Sequence, residues 1–122
     1  MHGRLPDEFR DRTKRYAAGI IRLYIGLPKD REETRVLGKQ LLRSGTSVAA
    51  HVREASRSRS ESEFVSKLGG ALQEADESML WLELLREECH IPASLTEPLE
   101  QESSELIAIM TTMIRRTGKS GN

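Results

Sequence analysis

The sequence is poor in several residue types that usually announce a function. Its one cysteine, Cys89, can form neither an intramolecular disulfide nor a cysteine-rich metal site, and such usage is typical of a reducing compartment, so we expect a cytoplasmic protein. Only five of its residues are aromatic, which predicts a lean core of Leu, Ile, Val and Ala. No apolar run approaches the length of a membrane helix, and the first twelve residues lack the apolar segment of a signal peptide. We therefore expect no contact with a membrane.

Net charge is also absent, but the charged residues are unevenly distributed. Lys and Arg outnumber Asp and Glu by 14 to 7 in residues 1–60, and Asp and Glu outnumber Lys and Arg by 12 to 5 in residues 61–122. One interpretation is a basic face that meets nucleic acid or an acidic partner. The other is that basic and acidic helices lie side by side and neutralise each other, within one chain or between subunits. Zero net charge favours the second, because dedicated nucleic-acid binders usually carry a net positive charge.

Apolar residues recur at helical spacing in four segments, and no segment alternates as a half-buried strand would. The predicted helices cover about residues 6–26, 30–56, 60–90 and 96–117, followed by a frayed tail over 118–122. Loops as short as those between them connect antiparallel neighbours. The sequence therefore predicts an all-α protein, a single antiparallel up-down-up-down four-helix bundle that spans residues 1–122.

Proline and capping residues mark the ends of these helices. Pro28 ends the first helix, because proline cannot continue a helix and restricts the residue before it. Ser60 and Glu63 have the spacing of a capping box, in which each side chain accepts a hydrogen bond from the free backbone N–H of the other residue. Thr96, with Pro98 two residues later, is expected to cap the fourth helix.

Four polar residues share one stripe of the second helix: Arg43, Ser47, His51 and Glu54. At 100° per residue they span about 80°, and the stripe lies about 110° from the apolar stripe of the same helix. Ser, His and Glu on one face suggest a hydrolase, but nothing in the sequence supplies an oxyanion hole or the sharp turn that exposes a nucleophile. We therefore expect no enzymatic activity. The stripe is either a solvated face or a polar network that fixes the register of helices or subunits.

The sequence also lacks the patterns of metal and cofactor sites. Its histidines are isolated, without the His-x-x-x-His or Glu-x-x-His spacing of metal ligands on a helix. Gly69 and Gly70 lie inside a predicted helix and lack the Lys-Ser/Thr pair of a phosphate-binding loop, so we expect them to allow close helix packing instead. No metal, cofactor or small-molecule substrate is therefore expected.

Three large apolar residues of the third helix, Trp81, Leu84 and Leu85, lie off its main apolar stripe. A helix with a single partner face should be polar at these positions. A second apolar patch most often marks a subunit interface, which is our leading interpretation. The alternative is a wider core contact with the fourth helix.

A group of basic residues in the first half of the chain could contact phosphates and so bind RNA or DNA. The group comprises Arg10, Arg12, Lys14, Arg15, Arg53, Arg57 and Arg59. No aromatic residues are interleaved with the basic loop of residues 57–60, so it offers no platform on which single-stranded bases could stack. The alternative is a solvated turn whose side chains donate to the last carbonyls of the second helix.

Three short segments give the sequence a family resemblance: LRSGTSV at residues 42–48, AHVREA at 50–55 and RSRSESEF at 57–64. Together they resemble the motif of the bacterial four-helix-bundle family known as the 23S rRNA intervening-sequence proteins. The resemblance covers about residues 9–115. The family motif has proline, asparagine and glycine where this chain has Ala49, His51 and Ala55.

The resemblance implies an up-down-up-down bundle that assembles as a homopentamer with a central channel and has no enzymatic activity. It also implies a link to the accessory protein of diversity-generating retroelements, a basic pentamer that binds a reverse transcriptase and nucleic acid. This chain is neutral and differs from that protein in charge. From the resemblance we expect a non-enzymatic homo-oligomeric assembly or accessory module, and we expect the oligomer to be a pentamer. The alternative is a nucleic-acid-binding accessory protein that supports a reverse transcriptase or an RNA-processing system.

Overall fold

Four helices make up the protein, and the connections between them are short. The structure, a computed structural model, describes residues 5–120, and it describes residues 118–120 by their backbone alone. The helices are α1 (Asp7–Gly26), α2 (Glu32–Ser56), α3 (Glu61–Glu87) and α4 (Ala93–Ser120). Each helix packs against the next in the chain, and α4 returns to α1 along a shorter contact, so the four surround one core. The predicted all-α up-down-up-down bundle is confirmed.

The core is built from the apolar stripe of each helix, as the helical spacing predicts. Ile20, Leu41, Leu68, Leu82 and Leu106 represent all four helices and are completely buried. Each such side chain contributes roughly 1.5–3 kcal/mol when it leaves water. Burial of these stripes therefore holds the helices together with few aromatic residues.

Helices α1 and α2 approach closely at two glycines. A Cβ atom at Gly45 would lie 2.7 Å from Cγ1 of Ile20, and one at Gly38 would lie 2.8 Å from Cδ1 of Leu27. Both distances are shorter than the contacts that real Cβ atoms make. Glycine at these positions therefore allows the two helix backbones to pack with a large side chain between them.

One hydroxyl from each helix lies in the buried middle of the bundle. The Tyr16 hydroxyl lies 2.6 Å from Oγ of Ser103, and Oγ of Ser44 lies 2.7 Å from Oγ of Ser78. All four side chains are buried. Burial raises the pKa of Tyr16, although its hydrogen bonds with Ser103 and Ser78 act in the opposite direction. Each serine also donates to a carbonyl of its own helix, so a displaced helix would leave only the buried Tyr16 hydroxyl without a partner. Because an unpaired buried hydroxyl is costly, this layer favours one register of the helices.

The turns between helices contain one capping arrangement and one strained residue. Ser60 accepts from the backbone N–H of Glu63 at 3.1 Å, as predicted, whereas the Glu63 carboxylate accepts from the N–H of Arg59 instead of that of Ser60. After α3, His90 has a φ of 59°, in the left-handed region that is unfavourable for residues other than glycine.

Helix α4 differs from the prediction at both ends. It begins at Ala93, directly after Pro92, rather than at Thr96. Thr96 is completely buried and therefore packs inside the bundle instead of capping an exposed helix end. Pro98 consequently lies inside the helix. Residues 118–120 continue α4 where a frayed tail was predicted, and residues 1–4 and 121–122 lie outside the described residues.

Candidate functional site

The predicted polar stripe of α2 faces the neighbouring helix α3, where acidic residues meet it. Arg43 donates from Nη2 to Oε1 of Glu77 at 2.8 Å and from Nη1 to Oε1 of Glu74 at 3.2 Å. Arg43 and Glu77 are each about half exposed, whereas the Glu74 side chain is only 17% exposed. The arginine therefore forms a bridge between two helices at the bundle surface. The sequence analysis identified Arg43 but missed Glu74 and Glu77. The signal for these two partners is their position four residues and one residue before Ser78, on the side of α3 that meets α2.

His51 packs on α3 and joins a second set of charged contacts. A Cβ atom at Gly70 would lie 3.3 Å from its Nδ1, so this glycine leaves room for the imidazole ring. The ring lies 3.5 Å from Oε1 of Glu54, which is also 3.5 Å from Nζ of Lys67. The expected packing role of the paired glycines therefore applies to Gly70, while a Cβ at Gly69 would meet nothing within 4 Å.

Ser47 does not take part in this network. It is half-buried and makes no hydrogen bond to any described residue, including His51 four residues later. The serine that joins α2 to α3 is Ser44, which the buried hydroxyl layer uses. The stripe thus brings Arg43, His51 and Glu54 into contact with α3, and it leaves the serine without the base that a nucleophile requires.

The predicted apolar patch of α3 is partly wrong. Leu85 is completely buried and belongs to the core. The error arose because α3 packs against both α2 and α4, and this widens its buried arc to include the small residues Ala71 and Ser78. Trp81 is half-buried and packs against the core, and Leu84 is also half-buried. The exposed large apolar residue of α3 is Leu80, at 47%, which the sequence analysis did not include in the patch although it lies four residues before Leu84.

The large exposed apolar side chains of the described residues occur in one half of the bundle. They are Ile21, Ile25, Val36, Leu80 and Leu95, with exposed fractions between 41% and 67%. All five lie in the half that contains the α1–α2 and α3–α4 connections. The sequence signal for the α1 pair is the spacing of Ala18, Ile21 and Ile25 on the side of the helix opposite its buried stripe.

Two of the predicted phosphate-binding residues are neutralised within the chain. Arg12 donates to Glu102 at 2.7 and 2.8 Å and to Glu105 at 2.8 Å, and it thereby joins α1 to α4. The hydrogen bond to Glu102 raises the pKa of Arg12. Arg10 is paired with Asp7. Neither arginine is therefore freely available to a phosphate.

The other predicted basic residues fall into two places. Arg53, Arg57 and Arg59 line one open groove at the α2–α3 turn, together with Lys67. Glu54 and Glu63 also line it, so the groove is basic but mixed in sign. Lys14 and Arg15 lie on the exposed side of α1. The structure thus assembles the arginines around the basic loop. Arg10 of α1 lines a neighbouring cavity with Arg57, whereas Lys14 and Arg15 line neither.

Two features are absent from residues 5–120. None of the four helices is both long and apolar enough to cross a membrane. No three His, Cys, Asp or Glu side chains within this range come together as ligands for a metal ion.

The chain was compared with known families and structures. A family model described as 23S rRNA-intervening sequence protein matches residues 8–112. A solved structure from Bacteroides thetaiotaomicron, described as a protein with unknown function from the S23 ribosomal protein family, is similar at 35% identity. The similarity covers 89% of this chain and 96% of that one, with a TM-score of 0.81. No curated protein matches.

Proposed function

The chain belongs to the 23S rRNA-intervening sequence protein family, and we propose that it functions as a homo-oligomeric assembly module, a non-enzymatic pentamer. The observation that supports assembly is the set of exposed large apolar side chains in one half of the bundle, on more than one helix. Exposed apolar side chains next to one another, such as Ile21 and Ile25 one turn apart on α1, mark surfaces that another molecule covers. Most oligomers of soluble proteins are made of identical subunits arranged in closed symmetry.

The half-buried residues beside the exposed ones support the same conclusion. Trp81 and Leu84 are only partly covered within one chain, and the nearby Leu80 is 47% exposed. A subunit packed over this region would cover the exposed parts of these side chains.

The mass of the protein in solution tests this proposal. We expect sedimentation velocity at micromolar concentration to give one species of five copies of the 13.8 kDa chain, about 69 kDa. We expect this mass to persist on tenfold dilution. A stable 13.8 kDa monomer across the concentration series would refute assembly. An oligomer of another size would keep the assembly function and reject the pentamer.

A second candidate function is nucleic-acid binding at the groove formed by the α2–α3 turn. The observation in its favour is that Arg53, Arg57 and Arg59 line one groove and form no ion pair with a described residue. Unpaired arginines can neutralise phosphates, and such binding weakens steeply as salt increases. In a ring, several copies of the groove would bind one nucleic acid together.

Fluorescence anisotropy with a structured RNA at two salt concentrations tests this second function. We expect the triple variant Arg53→Gln, Arg57→Gln, Arg59→Gln to weaken binding and to reduce the salt slope by about one unit for each lost phosphate contact. The control variant removes the same charge at the other end of the bundle, with Lys29→Gln, Arg31→Gln and Lys39→Gln. Equal losses in the two variants, or no binding at low salt, would reject this groove as the site.

A further inference from the structure

We propose that the copies assemble by docking the exposed side of α1 onto the exposed side of α3 in the next copy, an inference that rests on the proposed homo-oligomer. The α1 face is defined by Lys14, Ala18, Ile21, Arg22 and Ile25. The α3 face is defined by Asp76, Glu77, Leu80, Glu83 and Leu84.

The α1 face combines two exposed apolar side chains, Ile21 and Ile25 one turn apart, with the basic side chains of Lys14 and Arg22. At 100° per residue its five members span about 100° of the helix, on the side opposite the buried stripe. Ile21 is 41% exposed and Ile25 is 67% exposed. Lys14 and Arg22 are exposed and form no ion pair with a described residue. The acidic Asp11 borders the face toward the start of the helix.

The α3 face is apolar at its centre, and its surroundings are acidic. Its members span about 120° opposite the buried stripe of α3, with Leu80 in the middle and Leu84 one turn later. Asp76 and Glu83 form no ion pair with a described residue. Glu77 is half exposed and holds Arg43 of α2 at the edge of the face. An apolar surface with acidic borders is complementary to the α1 face in both polarity and charge.

The two faces lie at the same height along the bundle. Ile20 packs on Gly45 of α2, and the adjacent Ser44 bonds Ser78 of α3, so Ile20 and Ser78 are level with each other. Helices α1 and α3 run in the same direction, since one antiparallel helix lies between them. Ile21 and Ile25 are therefore within about one helical turn of the height of Leu80.

Equal height is what a ring of identical subunits requires. Neighbours related by rotation about an axis parallel to the bundle keep their helices parallel and unshifted. In that arrangement the α1 face of one copy meets the α3 face of the next with isoleucine against leucine, and with Lys14 and Arg22 near acidic side chains. Pairing two α1 faces, or two α3 faces, would instead bring like charges together, which disfavours a two-fold dimer through either face.

The proposed contact uses different surfaces on the two partners, so two disrupted chains should complement each other. The α1-face variant is Ile21→Asp with Ile25→Asp, and the α3-face variant is Leu80→Asp. Leu95→Asp is the matched control, because Leu95 is 53% exposed in the same half of the bundle but belongs to neither face. All these side chains are exposed, so circular dichroism should show unchanged helix content in each variant.

We expect both face variants to sediment as monomers and the control to sediment as wild type. Co-expression of the two face variants with different tags should yield a one-to-one heterodimer and nothing larger, since only one intact interface forms. Wild-type assembly in either face variant, or assembly lost equally in the control, would overturn the docking assignment while leaving the oligomer intact. A monomeric wild type would instead refute the proposed function itself.

Disulfide trapping gives a second readout that does not require a stable heterodimer. In a Cys89→Ala background, chains with Ile25→Cys and chains with Leu80→Cys are co-expressed and mildly oxidised. We expect the crosslinked product to contain one chain of each kind, because equal height brings these two positions together across the interface. Crosslinking between two chains of the same kind, at a yield equal to that of the mixed product, would overturn the proposal.

Discussion

Substitution of Gly45 by alanine tests whether α1 and α2 pack as closely as the structure shows. The added Cβ would lie 2.7 Å from Cγ1, 2.9 Å from Cγ2 and 3.2 Å from Cβ of Ile20, where ordinary contacts begin at 3.4 Å. Ile20 is completely buried, and its Cβ is fixed to the backbone of α1. A rotation of the side chain therefore cannot relieve the overlap, and the two helices must move apart.

The magnitude follows from two opposing effects. Overpacking of a well-packed core costs about 1–3 kcal/mol, whereas alanine is favoured over glycine inside a helix by about 1 kcal/mol. Because the overlap here involves an atom bound to the backbone, we expect a cost near the upper limit and a net destabilisation of about 1–2 kcal/mol. For a chain of 122 residues this corresponds to a fall in Tm of about 4–8 °C.

Thermal and urea unfolding at matched protein concentration measure this change. Gly69→Ala is the control, because a Cβ there meets no atom within 4 Å, and it should raise stability by up to about 1 kcal/mol. In an Ile20→Ala background most of the cost of Gly45→Ala should disappear, since the Cγ atoms at 2.7 and 2.9 Å are gone and only the 3.2 Å contact with Cβ remains. A Gly45→Ala protein as stable as wild type would show that the helices are farther apart than described.

Two further substitutions test the buried hydroxyl layer and the strained turn. Burial raises the pKa of Tyr16 above the value of about 10 in the unfolded chain. The contribution of the protonated Tyr16 to the free energy of unfolding is therefore complete below pH 10 and declines as the pH rises further. Urea unfolding from pH 9 to 11 should therefore show a shallower loss for Tyr16→Phe than for wild type, and parallel slopes would contradict this. His90→Gly should raise the free energy of unfolding by about 1 kcal/mol, because glycine adopts the left-handed conformation without strain. His90→Ala should bring no such gain. An unchanged urea midpoint for the glycine variant would contradict the strained turn.

The fold was predictable because its determinants are local. Ile20, Leu41 and Leu82 recur with their neighbours at helical spacing, and proline and capping residues separate the segments. The two errors in α3 and α4 have one cause, namely contact with a neighbouring helix. Leu85 is buried because two helices flank α3, and Thr96 is buried because tertiary packing overrides its preference for a helix end.

The candidate site was predictable only in part, because its contacts join residues far apart in the chain. Arg12 bonds Glu102 across 90 positions, and Arg43 bonds Glu77 across 34. A sequence shows that such residues are charged but not which partner neutralises them. Only the structure shows that Arg12 is paired with an acidic residue, and is therefore not free to bind phosphate, and that Arg43 joins α2 to α3. The exposure of Ile21 and Ile25 could be predicted only by knowing which side of α1 the other helices cover.

The mass of the wild-type protein in solution tests the central claim most directly. In the proposed assembly the exposed Ile21, Ile25 and Leu80 are covered by other copies of the chain. Sedimentation velocity across a tenfold range of micromolar concentrations should give a single species of about 69 kDa, five times the 13.8 kDa chain. A single 13.8 kDa species throughout that range would contradict the account.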